Sequence, residues 1–371
     1  MLSLFLKGKH AIRFPYLYAT CVVKKLSPQY YIVIYDGKTM KTYDYRLLSD
    51  RSVKPIREFK LKLAMPTLFP SYDCKAIFGL TKNFDVIKIN PLTGETLLQI
   101  KDLRKTFSDH DLILESTEDF KTLTSSLNGS YIAIASWHGV LVHTKEETHV
   151  IRGIEYKKKY VTERYVATEF DQWGDERIIT KREEHFYFEN AHIDYAVISP
   201  NGKYIALTES SLFERCYAAI YALDTQRYII LRDNPYEEPI YEYAAWSSDS
   251  DVICFLYRDK AFNFGVELFR VMRRWSKRAP MEFPAICTAS PLKKMFAFYV
   301  ADGNILLLDY SRKDLSTKKI ARIEEEPKSL KWSPCGKYLM AVNQKKKVFI
   351  INIEDMSVTK LKGRFATWFA E

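Results

Sequence analysis

The stretch Ile198-Ser-Pro-Asn-Gly-Lys-Tyr-Ile-Ala-Leu207 most constrains what this chain can become. A polar turn, Ser199 to Gly202, separates two short apolar runs, which reads as a pair of antiparallel strands. The unit recurs. Ser333-Pro-Cys-Gly-Lys-Tyr-Leu-Met-Ala341 is a second copy, and Ser126-Leu-Asn-Gly-Ser-Tyr-Ile-Ala-Ile134 a third. Ser247-Ser-Asp-Ser-Asp-Val-Ile-Cys254 keeps the turn without the glycine, and Ser290-Pro-Leu-Lys-Lys-Met-Phe-Ala297 keeps Ser-Pro and the apolar run. Fainter copies begin at Ser71 and Ser27. Most of the seven starts lie 43 to 55 residues apart, a spacing that suits four-stranded blades.

Each unit continues alike. A second apolar run ends in an acidic residue, as in Tyr221-Ala-Leu-Asp224, Leu306-Leu-Leu-Asp309 and Ile351-Asn-Ile-Glu354, and a further strand follows. One more strand precedes each Ser, as in Tyr243-Ala-Ala-Trp246 and Ser329-Leu-Lys-Trp332, giving four per unit. These Ser-Pro-Asn-Gly-Lys-like turns resemble those of the β-propeller superfamily, in particular the Trp-Asp repeat and Tol-type propellers. The Gly-His dipeptide and terminal Trp-Asp pair of the strict Trp-Asp repeat are missing. The expected fold is all-β: a seven-bladed β-propeller of four-stranded antiparallel blades, one domain over residues 1–371. Stacking blades about an axis buries both faces of each sheet. Either Leu2–Leu6 or Phe365–Phe369 should complete a blade begun at the other terminus, which pairs an otherwise open edge.

One interval, Ser126 to Ser199, is too long for a blade. Residues 155–190 within it, with strand-like runs across Tyr160–Phe188 and a turn at Gln172-Trp-Gly-Asp175, read as a hairpin inserted between blades. An eighth, degenerate blade is the rival reading, but no Ser-Pro-Asn-Gly-type start lies there. A smaller charged insertion, Lys101–Phe120, has room for a short helix.

Composition supports β structure: aromatics make up 14%, and such side chains pack well on pleated surfaces. Scarce Gln beside abundant Lys and Glu is compatible with a thermophilic source or with ordinary drift. The apolar run at Met1–Leu6 is shorter than a signal-peptide core, and no run approaches the length of a membrane span. The chain therefore reads as intracellular. No Cys-x-x-Cys occurs, and Cys254, inside Val252–Leu256, reads as a buried thiol.

Catalytic signatures are missing. The 13 glycines never fall two apart, so no dinucleotide fingerprint exists, nor does a phosphate loop or a Gly-x-Ser-x-Gly elbow. His185, Glu189, His192 and Asp194 are close in sequence but lack zinc-type spacing. No catalytic residue, metal site or cofactor is expected. Trp246 and Trp332 read as packing between blades, and Asp224, Asp309 and Glu354 as turn-stabilising groups.

The loops joining second and third strands share one rim of a propeller. They bring Lys38, Lys82, Phe84, Trp137, Phe213, Arg215, Arg258, Lys260, Phe262, Lys345, Lys346 and Lys347 as candidate partner contacts. Basic groups among rings suit nucleic acid, by phosphate contact and base stacking, and equally suit an acidic protein. The net charge of +10 fits both. Acidic Tyr236-Glu-Glu-Pro239 and Glu324-Glu-Glu-Pro327 should share that rim and interrupt a basic field. Further candidates are Trp173 and Arg177 on the hairpin, and Arg273, Arg274 and Trp275 on a blade edge, where Arg and Lys also serve to block sheet aggregation. The expected function is a non-enzymatic protein-interaction scaffold or subunit of an assembly. Nucleic-acid binding is the alternative, and an enzyme with a central-channel site ranks third.

Overall fold

A computed structural model describes residues 10–14, 17–21, 30–44, 54–61, 67–114, 116, 119–153, 155–170, 176–210, 216–230, 239–259, 261–273, 275–312 and 314–370. Seven four-stranded antiparallel sheets account for most of the chain. Six are sequential, each built from four consecutive strands, and span residues 67–100, 120–151, 192–230, 240–280, 284–322 and 327–362. They are numbered here as blades two to seven. The seventh sheet, blade one, joins the chain's ends: Phe365–Ala370 pairs with Tyr30–Tyr35, followed by Thr39–Asp44 and Arg57–Lys60. Closure thus comes from the C-terminal strand, while Leu2–Leu6 and Ser27 lie outside the described residues. Each blade's first strand touches the next, and that of blade seven touches that of blade one, so the ring is complete. The fold is a seven-bladed β-propeller.

The recurring serine explains why the turn marks blades two to five and seven; in blade six Ser290 Oγ accepts instead from Leu292 N and Lys293 N. Ser199 Oγ accepts a hydrogen bond from Tyr204 N at 3.0 Å and lies 2.7 Å from Asn201 Oδ1. Ser71, Ser126, Ser247 and Ser333 make the same bond to the backbone N–H five residues on. All five hydroxyls are buried, so a hydrophobic residue there would orphan a buried amide. Three residues after the serine the chain turns left-handed. Gly129, Gly202 and Gly336 sit there with φ of 67°, 73° and 66°. Copies without glycine hold the same conformation against its steric cost: Cys74 has φ 57° and Ser250 φ 61°.

Tryptophans at the end of the first strand lock blade to blade. Trp246 Nε1 donates to Val197 O at 2.9 Å, Trp332 Nε1 to Thr288 O at 3.2 Å, and Trp368 Nε1 to Lys331 O at 3.3 Å. Each acceptor belongs to the first strand of the preceding blade. The expected core role of Trp246 and Trp332 is what the structure shows. Cys254 is buried beside Cys287, and burial pushes its thiol pKa up. Asp309 accepts from Ser311 N and Oγ, and Asp224 from Thr225 N, so both are turn groups.

Two two-stranded sheets lie outside the blades. Glu155–Phe170 and Glu176–Asn190 pair in register from Glu155↔Asn190 to Phe170↔Glu176, with one irregularity between Tyr165 and Ala167. At about 3.3 Å per residue this ribbon runs about 50 Å. At its foot a Cβ on Gly153 would lie 1.9 Å from Ala191 O, so only glycine lets the two chain ends pass. A second hairpin, His10–Phe14 with Leu17–Cys21, has no counterpart in the sequence reading. The charged insertion holds α1, Leu103–Ser108, the α-helix among the described residues.

Candidate functional site

The rim formed by the loops between second and third strands, and by the connections between blades, carries most of the candidates. Lys345 Nζ and Lys347 Nζ lie 2.9 and 3.5 Å from Glu325 Oε1, across two such loops of blades six and seven. Asn343 Nδ2 also donates to Glu325, at 2.7 Å. The hydrogen bond from Lys345 holds the Glu325 carboxyl below the usual range. Arg258 Nε is 3.9 Å from Glu242 Oε1. Glu325 thus neutralises two of the rim's bases locally. Lys38, Lys82 and Lys346 are exposed.

Trp137 is half-buried and fixed by backbone bonds: its N–H donates to Asp119 O and its carbonyl accepts from Ile193 N, both at 3.0 Å. Its ring centroid lies 5.0 Å from that of His192, the planes tilted at 48°, with Lys121 Nζ 4.1 Å from its centroid. Lys121 and His192 sit on first strands and were missed by a search confined to loops.

Phe84 is a correction. The sequence places it on a rim loop, but it is 3% exposed and belongs to the core around Leu103, Phe107, Leu112 and Leu114. α1 roofs it, and the Arg104 guanidinium lies 3.9 Å from its ring centroid. It offers nothing to a partner.

Phe262 is the opposite case. It is 68% exposed, with φ 60°, and the Arg258 guanidinium lies 5.6 Å from its centroid. The ends of its turn are tied together: Asn263 Nδ2 and N donate to the two Asp259 carboxylate oxygens at 2.9 and 2.8 Å. Those bonds hold the Asp259 carboxyl below its ordinary pKa. Next to the turn, Phe283 on the connection to blade six is 48% exposed with φ 39°, and its ring lies 4.1 Å from that of Phe264. A left-handed backbone at a bulky residue is uncommon. Both phenylalanines hold it, and both are exposed.

In the same blade, Glu267 is fully buried and held by Tyr241 Oη at 2.7 Å and Arg278 Nε at 2.9 Å. Burial pushes the Tyr241 phenol up, so it stays a donor. The group ties the first, third and fourth strands of blade five together.

A cleft of about 560 Å³ opens between α1, the end of blade three and blade four, lined by Asp109, His110, Asp111, Arg152, Tyr221 and Tyr228 among others. Arg152 Nη2 donates to His110 O at 3.0 Å and lies 3.6 Å from Asp111 Oδ2, so the cation is already engaged. No group of three metal-binding side chains occurs among the described residues. No helix among the described residues is long and apolar enough to cross a membrane.

Phe213, Arg215, Lys260, Trp173 and Arg274 lie outside the described residues. Arg177 lies on the second ribbon strand, Arg273 in a short 3₁₀ turn and Trp275 at the start of the last strand of blade five; only their backbones are described. His185 and Glu189 are likewise ribbon positions.

No family model matches the chain, and no curated protein matches it. Solved structures do. The β-propeller domain of Cps50 (Swd1) from Myceliophteria thermophila superposes with a TM-score of 0.51 at 11% identity, covering 81% of this chain and 86% of that one. A Bacteroides fragilis protein provisionally named a 6-phosphogluconolactonase gives 0.54 at 12%, covering 94% and 99%. At such identities the likeness is one of fold. It agrees with the blade assignment and leaves function to the site.

Proposed function

We propose that this propeller is a non-enzymatic platform that binds a partner protein through the rim of blades five and six. The carrying observation is two exposed, left-handed phenylalanines: Phe262, beside Arg258 on a turn whose ends Asp259 and Asn263 tie together, and Phe283 on the connection to blade six. Rings and arginine on a stiff scaffold favour protein recognition, since little ordering is lost on binding. The local pairing of Lys345 and Lys347 with Glu325 argues against a rim that tracks phosphates.

The test is co-purification from native extract with wild-type protein and two variants. One is Phe262→Ala with Phe283→Ala; the other is Lys293→Glu with Lys294→Glu on the opposite rim. One protein retained in stoichiometric amount by wild type and by the lysine variant, and lost from the phenylalanine variant, is expected. Equal retention by all three, or recovery of nucleic acid alone, overturns the reading.

A further inference from the structure

Thr81–Asp85 of blade two and Asp259–Asn263 of blade five are one turn built twice. Thr81 N donates to Asp85 O and Asp259 N to Asn263 O, each at 2.9 Å. Phe84 N donates to Thr81 O at 3.1 Å and Phe262 N to Asp259 O at 3.0 Å. The fifth N–H is caught by the first side chain in both, Asp85 N by Thr81 Oγ1 and Asn263 N by Asp259 Oδ1. The fourth residue is a left-handed phenylalanine in both, with φ 63° and 60°. A guanidinium approaches each ring.

Only the covering differs. Over blade two, α1 supplies Leu103 and Phe107, one helical turn apart, to the cluster that buries Phe84. Leu103 N also donates to Phe84 O at 3.0 Å, which seats the start of the helix on the turn. In blade five the last strand ends at Pro280, and Met281 N bonds Phe264 O at 3.1 Å, two residues below the ring. The turn therefore stands proud of its blade with nothing of this chain over Phe262 among the described residues. The molecule displays both halves of a joint at one blade and one half at another.

Resting on the protein-binding reading above, we infer that the blade-five turn docks an amphipathic helix of a partner protein, laid over Phe262 as α1 is laid over Phe84. The helix presents two large apolar residues at i and i+4, matching Leu103 and Phe107. It needs no cation over the ring, because Arg258 already stands there. It carries an acidic residue beside the apolar pair, drawn to Arg258, whose own acid Glu242 is 3.9 Å distant. Phe264 and Phe283 extend the apolar floor towards blade six.

The probe is a stapled helical peptide of residues 101–114 with Arg104→Glu, since an unconstrained peptide of that length is barely helical. Its binding to the full chain is read by fluorescence anisotropy. Saturable binding is expected, weakened about tenfold or more by Phe262→Ala in the protein or by Phe107→Ala in the peptide. An unchanged far-UV spectrum and melting temperature for Phe262→Ala separate lost contact from lost fold. Failure of the peptide to bind, or binding indifferent to Phe262→Ala, overturns the inference. So does displacement of the peptide by a single-stranded oligonucleotide, or a dimer of this chain that Phe262→Ala dissociates. A co-purifying protein that depends on Phe262 but ignores the peptide overturns the helix while leaving the protein-binding reading intact.

Discussion

Blades two and five carry the same left-handed phenylalanine on the same hydrogen-bonded turn, yet one ring is core and the other is surface. The turn itself does not decide between them. What decides is the connection that leaves the fourth strand. In blade two it runs on into α1, and twelve buried residues including Phe84, Leu103 and Phe107 form one cluster. In blade five the second and third strands are 7 residues long, against 4 in blade two, so the turn rises clear of a short connection. A local motif sets backbone and side-chain direction; the neighbouring insertion sets whether that side chain stabilises the fold or waits for a partner.

Truncation should separate the two rings most sharply. Phe84→Ala opens a cavity and is expected to cost about 3–5 kcal/mol, read by chemical denaturation. Phe262→Ala should change stability by no more than about 0.5 kcal/mol. Comparable losses at both would break the comparison. Phe107→Ala, which lifts the roof without touching the turn, should cost about 3 kcal/mol and raise the reactivity of Phe84 towards hydroxyl radical. Gly202→Ala tests the blade marker itself. The new Cβ would meet Tyr131 at 2.7 Å in a left-handed backbone, and a loss of about 1–3 kcal/mol is expected. Arg104→Ala should cost about 1 kcal/mol through its lost approach to Phe84. Phe262→Gly should be neutral or stabilising by up to about 1 kcal/mol, because glycine relieves the left-handed strain; a marked loss of stability would mean the ring is already packed in the free protein.

Much of this architecture was legible in the chain. The buried serine needs its partner amide five residues on, and that need fixes the spacing of Ser126, Ser199, Ser247 and Ser333. The left-handed step is visible where glycine fills it and hidden where Cys74 or Ser250 does, because φ is not written in those side chains. The rim was harder to read. Phe84 and Phe262 sit in comparable strings, Thr-Lys-Asn-Phe-Asp and Asp-Lys-Ala-Phe-Asn, and nothing in either string announces the helix that covers one of them. Phe283 lies on a connection between blades, outside the loops that join second and third strands, and its string does not show its left-handed φ. Lys121 and His192 reach the rim from first strands, so a search of loops alone leaves them out.

Hydroxyl-radical footprinting of the phenylalanines, in the free protein and in the complex recovered from extract, tests the central claim most directly. Phe262 and Phe283 should be oxidised readily in the free chain and protected in the complex, while Phe84 stays protected in both. Oxidation of Phe262 at the same rate in the complex would contradict a partner seated on blade five.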